Sequence, residues 1–236
     1  MREISIKEYF ESIDYPGRTI LIAVNEDKTR ANIVYFIMGR SENSKNRVFV
    51  KDGESVKTQA FDPSKLEDPT LIIYPVYKAL GNTHIVTNGD QTQTIFEFLN
   101  RGESSHRALL TRDYEPDAPN FTPRISCVLN EKNYEISIIK SFNQEGSDSS
   151  RFFYTYPISA CQGHLIHTYM GNGNPLPTFE GEPKYFTWTA NMGKLVWDSI
   201  NPEYKISLLD LTIDLVSGKA TDLKIYNKNG DENEGI

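Results

Sequence analysis

Two neighbouring segments that are apolar along almost their whole length constrain the fold more than any other feature of this sequence. Residues 19–24 (TILIAV) and 31–38 (ANIVYFIM) flank the polar turn 25–28. A strand that faces water on one side alternates apolar and polar residues, whereas a strand that is apolar throughout is buried on both faces. The sheet that contains these strands must therefore be covered on both sides, which favours stacked sheets with helices outside them.

Short apolar segments and a few helical patterns follow along the rest of the chain. Ser5 and Glu8 have the spacing of a capping box, and the turn sequence NEKN at 130–133 predicts a hairpin. With no internal repeat and no linker, we expect one domain over residues 1–236, with a frayed polar tail at 227–236. We predict strands at 19–24, 31–38, 48–50, 71–77, 84–87, 124–129, 134–139, 152–157, 164–169, 209–215 and 222–226, and helices at 5–13, 92–99, 104–110 and 190–200.

The charge balance and the cysteines exclude several classes of protein. The chain has 25 Lys and Arg against 32 Asp and Glu, a net charge of −7, whereas non-specific nucleic-acid binding needs a basic face. Its apolar runs, such as residues 20–24, are far shorter than the ~20 residues of a membrane helix, and its first residues lack the apolar stretch of a signal peptide. Cys127 and Cys161 form no CxxC motif. We therefore expect a cytoplasmic protein with reduced thiols that binds neither nucleic acid nor membranes.

Four polar segments interrupt the apolar strands, and each has a functional and a purely structural interpretation. They are 39–47 (GRSENSKNR), 87–92 (TNGDQT), 113–124 (DYEPDAPNFTPR) and 169–183 (YMGNGNPLPTFEGEP). The Arg, Ser and Asn side chains of the first segment are suited to hold a phosphate, but a solvated loop has the same composition. The Asn-Gly pair of the second marks a turn, although the start of the following helix is also a natural anion site. The prolines of the third can hold Glu115 and Asn120 rigidly for a ligand, or simply connect two elements.

No familiar catalytic or metal-binding motif accompanies these segments. His164 and His167 are three residues apart on a predicted strand, so their side chains face opposite sides and do not chelate one metal. The sequence contains no HExxH, P-loop, GxGxxG or GxSxG pattern. From the residues alone we predict a domain without a metal, whose polar loops converge on a phosphorylated small molecule. The residues alone leave the reaction open.

Taken together, the polar segments resemble the archaeal-type IMP cyclohydrolase family. The matching pieces occur in the same order and with similar spacing over roughly residues 15–170. They are Tyr15-Pro16-Gly17-Arg18, the pair Arg40-Ser41 with Asn46-Arg47, Tyr74 at the end of an apolar strand, Thr87-Asn88-Gly89 with Thr92, and Asp113-Tyr114-Glu115 with Thr122-Pro123-Arg124-Ile125. The segments NGDQTQTI and DYEPDAPNFTPRI are the most specific of them.

The resemblance implies both a fold and a reaction. The fold is α+β, a four-layer αββα sandwich of mostly antiparallel sheets, similar to that of the N-terminal-nucleophile hydrolases. The reaction is the last step of de novo purine biosynthesis, in which a formamido-imidazole-carboxamide ribonucleotide closes its ring, loses water and becomes IMP. The reacting groups belong to one molecule, so holding them in an attacking geometry contributes much of the rate. The family implies no cofactor and no metal, a purine ribonucleotide as the small-molecule partner, and it is compatible with a homo-oligomer.

The resemblance also assigns roles to nine residues. Three are expected to be catalytic: Arg40 as a fixed cation near the reacting oxygen, Tyr74 as a hydrogen-bond donor or proton relay, and Glu115 as the proton acceptor or the group that orients the carboxamide. Six are expected to bind the substrate: Arg18, Arg47, Asn88, Asn120, Thr122 and Arg124. Structural alternatives stay open, because Arg40 and Arg124 also fit ion pairs with acidic neighbours and Tyr74 fits a core aromatic residue with a hydrogen-bonded hydroxyl.

Two other functions stay open beside the cyclohydrolase. One is a different cyclohydrolase or an amide hydrolase on the same scaffold, and the other is a purine-nucleotide-binding or sensing protein without catalysis. An amide hydrolase needs an activated nucleophile or a metal-bound water, for which the sequence has no pattern. The Gly/Pro-rich loop 171–183 departs from the family and is interpreted as a lid, an oligomer contact or plain surface.

Overall fold

The computed structural model describes residues 3–65, 73–143 and 145–230, and two antiparallel sheets dominate it. In this part of the chain no helix is long and apolar enough to cross a membrane. In chain order the elements are α1 (Ile6–Ser12), β1 (Arg18–Val24), β2 (Arg30–Met38), α2 (Glu42–Lys45), β3 (Arg47–Asp52), β4 (Ser55–Ala60), a 3₁₀ turn (Pro63–Lys65), β5 (Pro75–Leu80), β6 (Thr83–Thr87), α3 (Gln91–Asn100), α4 (Ser105–Leu110), β7 (Arg124–Leu129), β8 (Asn133–Ser141), β9 (Ser149–Pro157), β10 (Gln162–His167), β11 (Lys184–Thr187), α5 (Met192–Ser199), β12 (Lys205–Asp214) and β13 (Lys219–Asn227).

The two sheets differ in how the chain builds them. The six-stranded sheet has the order β11-β10-β1-β2-β12-β13, whereas the seven-stranded sheet runs in sequence order from β3 to β9. Neighbouring strands pair antiparallel in both sheets. The apolar strands β1 and β2 lie in the middle of the first sheet, and all of β1 beyond Arg18 is buried. This is the burial on both faces that their sequences predict.

Alternate residues of β1 and β2 face two different cores. Ile20 and Tyr35 point into the layer between the sheets, where they belong to one core with Val86 of β6. Leu21 and Phe36 point the other way and share a core with residues of α1 and α5. A third core lies on the outer face of the seven-stranded sheet, beneath α3 and α4. The layers are therefore helices, sheet, sheet, helices, which confirms the four-layer αββα sandwich; its similarity to N-terminal-nucleophile hydrolases stays a prediction.

Several parts of the chain differ from the sequence predictions, and among them β11 (Lys184–Thr187) has no counterpart in the predicted strands. The polar segment 39–47 contains the short helix α2, capped by Ser41, whose hydroxyl accepts the Ser44 N–H at 3.1 Å. Strand β4 was missed because its buried residues alternate with polar ones in a sequence that is mostly polar. The strand expected at 71–77 begins only at Pro75, and residues 66–72 lie outside the described residues.

The end of β13 is more ordered than the tail predicted at 227–236. Asn227 is the last residue of β13 and is buried. Its side chain pairs with the backbone of Phe49 in β3, accepting the Phe49 N–H at 3.0 Å and donating to the Phe49 carbonyl oxygen at 3.1 Å. The side-chain amide thus takes the place of a peptide group and joins the edge strands of the two sheets. Residues 231–236 lie outside the described part of the chain.

Candidate functional site

Three of the four polar segments meet at one cavity beside the start of β1. The cavity has a volume of about 220 Å³. Segment 39–47 forms one part of the wall, segment 113–124 a second, and segment 169–183 a third. The lining residues are Tyr15, Arg18, Arg40, Ser41, Ser44, Asp117, Asn120, Thr122, Tyr169 and Leu176. The structure thus brings together four of the nine predicted site residues, Arg18, Arg40, Asn120 and Thr122.

A buried ion pair connects this cavity to a predicted catalytic residue. The Arg18 Nη2 atom lies 3.5 Å from Oε2 of Glu115, and both side chains are shielded from solvent. The Arg18 Nε atom is buried and has no hydrogen-bond partner among the described residues. Burial raises the pKa of Glu115, and the positive charges of Arg18 and Arg124 offset only part of that rise. A carboxylate with a raised pKa is suited to accept a proton near neutral pH.

Tyr74 and Arg47 are buried near the ion pair, and neither is among the described residues that line the cavity. The Tyr74 hydroxyl is 3.1 Å from the hydroxyl of Tyr35, and both phenols interact electrostatically with the Arg18 guanidinium. The Arg47 side chain is fully buried and donates to the carbonyl oxygens of Ser44 and Met38 at 2.8 and 3.4 Å. Burial and the charge of Arg18 lower the pKa of Arg47.

The charges in this region do not balance. Arg18, Arg40 and Arg47 give this region three cations, of which Arg18 and Arg47 are buried, against the two carboxylates of Glu115 and Asp117. A buried charge without a counter-charge is costly, and a bound anion reduces that cost. The arrangement is therefore suited to a negatively charged ligand.

Arg40 occupies the outer part of the cavity and contacts the Gly/Pro-rich loop. Its Nη1 atom donates to Oδ1 of Asn172 at 2.8 Å and to the carbonyl oxygen of Gly173 at 2.6 Å. Its guanidinium also lies 5.4 Å from the centre of the Tyr15 ring. Asn120 holds the same loop, because its Oδ1 atom accepts the Leu176 N–H at 3.1 Å. The loop 171–183 therefore forms one wall of the cavity.

Asn88 and Arg124 lie away from the cavity wall, in a network that supports segment 113–124. The Asn88 amide donates to the Pro123 carbonyl at 2.8 Å and accepts the Ile125 N–H at 2.8 Å. Arg124 Nη1 lies 2.7 Å from oxygen atoms of Gln91 and of Asp90. The charge of Arg124 still acts on Glu115. Direct contact of these two residues with a ligand stays a prediction.

Tyr169 is one of six cavity residues that lie outside the predicted set of site residues. It is buried, and its hydroxyl is hydrogen-bonded to Thr122 Oγ1. Its ring comes so close to Gly17 that a Cβ atom there would lie 2.5 Å from it, and Gly17 has a φ of 76°. The only sequence signals were the Gly17 of the first matched motif and the place of Tyr169 at the start of a polar segment.

Comparison with known proteins gives one consistent result. The sequence model of a family described as IMP cyclohydrolase-like protein matches residues 15–219. An IMP cyclohydrolase of Methanopyrus kandleri is 31% identical over 124 residues, which are 51% of this chain and 61% of that protein. The IMP cyclohydrolase of Methanothrix thermoacetophila is 30% identical over 52% of this chain and 62% of its own length. That of Methanocella arvoryzae is 29% identical over 66% of this chain and 74% of its own length.

The matches cover only part of this chain and only part of each of these relatives. This chain covers about three fifths of the length of the first two relatives. The family match begins at Tyr15 and ends at Lys219, so α1 and almost all of β13 lie outside it. The cavity residues and the Arg18–Glu115 pair all lie inside the match.

Proposed function

Because the chain belongs to the family of IMP cyclohydrolase-like proteins, we propose that it is an IMP cyclohydrolase. It closes the ring of 5-formamido-1-(5-phosphoribosyl)imidazole-4-carboxamide with loss of water and releases IMP. The observation that carries the proposal is the buried Arg18–Glu115 pair, whose arginine lines the cavity and interacts electrostatically with the Tyr74 phenol.

The reaction forms one new C–N bond that closes the ring, and it moves two protons from nitrogen atoms to the departing oxygen. The carboxamide nitrogen attacks the formyl carbon of the same molecule, and a C–N bond forms as the formyl oxygen takes up negative charge. The carboxamide nitrogen then gives up one proton and the formamido nitrogen gives up another, and both protons end on the oxygen. The C–O bond breaks to release water as the formamido nitrogen completes a C=N double bond to the former formyl carbon. Positioning the two groups supplies much of the acceleration, because the attack is intramolecular. The chemistry involves neither an oxidant nor a group carrier.

Glu115, Tyr74 and the arginines match these needs. Glu115 accepts a proton from the carboxamide nitrogen, a role favoured by the raised pKa of its buried carboxyl group. Tyr74 donates a hydrogen bond to the formyl oxygen and relays a proton to it as it leaves. Arg40 at the outer wall and Arg18, whose Nε has no hydrogen-bond partner in the described part of the chain, provide fixed positive charge where the oxygen becomes negative.

The remaining predicted residues bind the ribonucleotide. Asn120 and Thr122 offer polar side chains in the cavity wall, and Arg47 adds a second buried cation near Arg18. We assign to them the base, the ribose and the phosphate as a set. Asn88 and Arg124 act from behind segment 113–124, which they hold in place. The same proposal places the enzyme in the cytoplasm, where purine ribonucleotides are made, and includes its assembly as a homo-oligomer.

An absorbance assay of the purified protein with the formamido ribonucleotide tests the proposal. Wild-type protein is compared with Tyr74→Phe and Glu115→Gln, and with two matched controls. The controls are Tyr154→Phe, whose hydroxyl bonds Gly181 outside the cavity, and Glu26→Gln in the exposed turn after β1. We expect IMP formation by the wild type and both controls, and a loss of at least 100-fold in each site variant.

Two results would overturn the proposal. Folded wild-type protein that forms no IMP is not a cyclohydrolase, and if it still binds IMP in a calorimeter, the nucleotide-sensing function takes its place. Full activity in Tyr74→Phe and Glu115→Gln would remove the assigned mechanism, although the reaction itself would stand.

A further inference from the structure

Three side chains in the cavity wall form a hydrogen-bonded chain that the mechanism does not use. Asp117 Oδ1 accepts the Thr122 backbone N–H at 2.6 Å. Asp117 Oδ2 accepts the Thr122 hydroxyl at 2.5 Å. The Thr122 hydroxyl is in turn bonded to the hydroxyl of Tyr169. All three residues line the cavity.

The carboxylate fixes the direction of every hydrogen bond in this chain. An ionised carboxylate accepts hydrogen bonds and cannot donate them, so the single proton of the Thr122 hydroxyl points at Asp117. The Thr122 oxygen is then an acceptor toward Tyr169, and the Tyr169 hydroxyl must donate to it. The proton of Tyr169 is therefore directed at the wall, and its oxygen presents lone pairs to the cavity.

Those lone pairs have no donor among the described residues. The hydrogen bond to Thr122 is the bond formed by the Tyr169 hydroxyl in this part of the chain. The ring is held firmly, stacked on Tyr15 at 6.1 Å between ring centres and packed against Gly17. The oxygen is thus a fixed acceptor, preorganised before a ligand enters.

We propose that Tyr169 is a substrate-binding residue that accepts a hydrogen bond from an O–H or N–H group of the ligand, and that Asp117 is the positioning residue that sets this polarity through Thr122. The inference rests on the proposed function for the identity of the ligand. A purine ribonucleotide carries such donors on its ribose hydroxyls and on its base. A ligand that places a hydrogen-bond acceptor opposite Tyr169 binds less well, because its lone pairs would face those of the Tyr169 oxygen.

The substitution Asp117→Asn reverses the chain. The Asn side chain still accepts the Thr122 N–H through its oxygen, but its NH₂ group now donates to the Thr122 hydroxyl. The Thr122 proton must then turn to Tyr169, and the Tyr169 proton must turn into the cavity. The variant keeps every side chain in place and converts an acceptor into a donor.

Steady-state kinetics with the formamido ribonucleotide, and calorimetry with IMP, test the proposal on Tyr169→Phe, Asp117→Asn and the double variant. We expect Tyr169→Phe to raise KM and the Kd of IMP about 3- to 10-fold, the size of one lost neutral hydrogen bond, with kcat within about twofold of wild type. We expect Asp117→Asn to weaken binding at least as much, although the Tyr169 hydroxyl is still present. The double variant should bind IMP no more weakly than whichever single variant binds it more weakly, because both changes remove the same hydrogen bond.

A substitution at Thr122 provides a second test of the hydrogen-bonded chain, and a substitution at Tyr154 provides the control. Thr122→Val breaks the hydrogen-bonded chain and should weaken IMP binding as Asp117→Asn does, so it keeps the proposal testable if Asp117→Asn fails to fold. Tyr154→Phe removes a phenol outside the cavity and should bind IMP as wild type does. Additive losses in the double variant, or wild-type binding by Tyr169→Phe, would overturn the inference. Wild-type protein that binds IMP but does not form it would end the proposed function and leave the binding test intact.

Discussion

Tyr35 of β2 and Tyr74, just before β5, share a hydrogen bond of 3.1 Å in the layer between the two sheets. Each residue belongs to a different sheet, so the bond links the two halves of the sandwich next to the candidate site. Both phenols interact with the Arg18 guanidinium. Tyr35 is therefore placed to orient Tyr74, although no sequence motif pointed to it.

We expect Tyr35→Phe to lower kcat about 2- to 10-fold, because Tyr74 keeps its hydroxyl but loses the bond that orients it. Tyr74→Phe should lose far more, since it removes the reacting hydroxyl itself. The free energy of unfolding should fall by about 1 kcal/mol in each case. Tyr134→Phe, which loses a buried bond of 2.6 Å to His164, is the matched control and should lower stability without changing kcat. Equal kcat in Tyr35→Phe and wild type would exclude the orienting role.

Arg124 offers a way to test Glu115 as the proton acceptor through pH. The acceptor must be ionised, so kcat/KM should rise with pH through an apparent pKa above the ordinary 4.5 of a glutamic acid, because burial raises it. The positive charge of Arg124 opposes that rise. Arg124→Gln should thus move the acid limb of the pH profile to higher pH, while Arg107→Gln on the exposed face of α4 should leave it in place. An acid limb that does not move in Arg124→Gln contradicts the assignment.

Alanine substitutions at Gly17 and Gly53 distinguish the cost of steric crowding from the cost of backbone strain. Both have positive φ, 76° and 62°, but a Cβ atom at Gly17 would lie 2.3 Å from the Thr168 hydroxyl oxygen and 2.5 Å from the Tyr169 ring, and at Gly53 it would meet nothing within 4 Å. Gly53→Ala should cost only the backbone strain, on the order of 1 kcal/mol of unfolding free energy. Gly17→Ala should cost about 1–3 kcal/mol more and raise KM, because the Thr168 hydroxyl and the Tyr169 ring must both move. Denaturant unfolding of both variants measures the difference, and equal losses would show that Tyr169 tolerates displacement.

His167 should make the protein sensitive to acid. It is fully buried between Tyr9 and the Tyr169 carbonyl oxygen, and burial lowers its pKa to about 3 from 6.5. The unfolded chain takes up a proton at this site below pH 6.5 while the folded protein does not, so stability is present above that pH and declines as pH falls toward 3. The slope from this group is about 1.4 kcal/mol per pH unit. His167→Gln should lower stability at pH 7 but flatten the decline between pH 6 and 4, as measured by thermal unfolding. An unchanged slope would mean that other groups cause the acid sensitivity.

The sandwich was predictable where the sequence pattern has one physical cause. The unbroken apolar sequences of β1 and β2 require cover on both faces, and the capping residues Ser5 and Ser104 mark where α1 and α4 begin. Strand β4 was not predicted, because its buried residues alternate with polar ones in a segment that is mostly polar. Asn227 was predicted to belong to a frayed tail because it is polar, although its side-chain amide is hydrogen-bonded to the backbone of the other sheet. Such a partner is distant in sequence, so no local pattern reports it.

The site was predictable only as far as a motif marks each residue. Arg18, Arg40, Asn120 and Thr122 meet at the cavity as the matched segments implied. Tyr35 and Tyr169 stand in no matched motif, since their importance arises from contacts with residues far away in the chain. Asp117 lies inside a matched segment, but its sequence does not show that it bonds the Thr122 hydroxyl. Asn88 lies in a specific motif and was predicted to bind the substrate, but its side chain is hydrogen-bonded to the backbone of Pro123 and Ile125.

The pairing of Asn227 with Phe49 also bears on how the molecule avoids self-association. β3 and β13 are the edge strands on one side of the two sheets, and exposed edge strands are templates for pairing with other chains. Because the Asn227 amide takes up both hydrogen-bonding groups of the Phe49 peptide unit, that unit is not free to pair with another chain. Asn227→Ala should therefore expose it and increase aggregation, as light scattering would show.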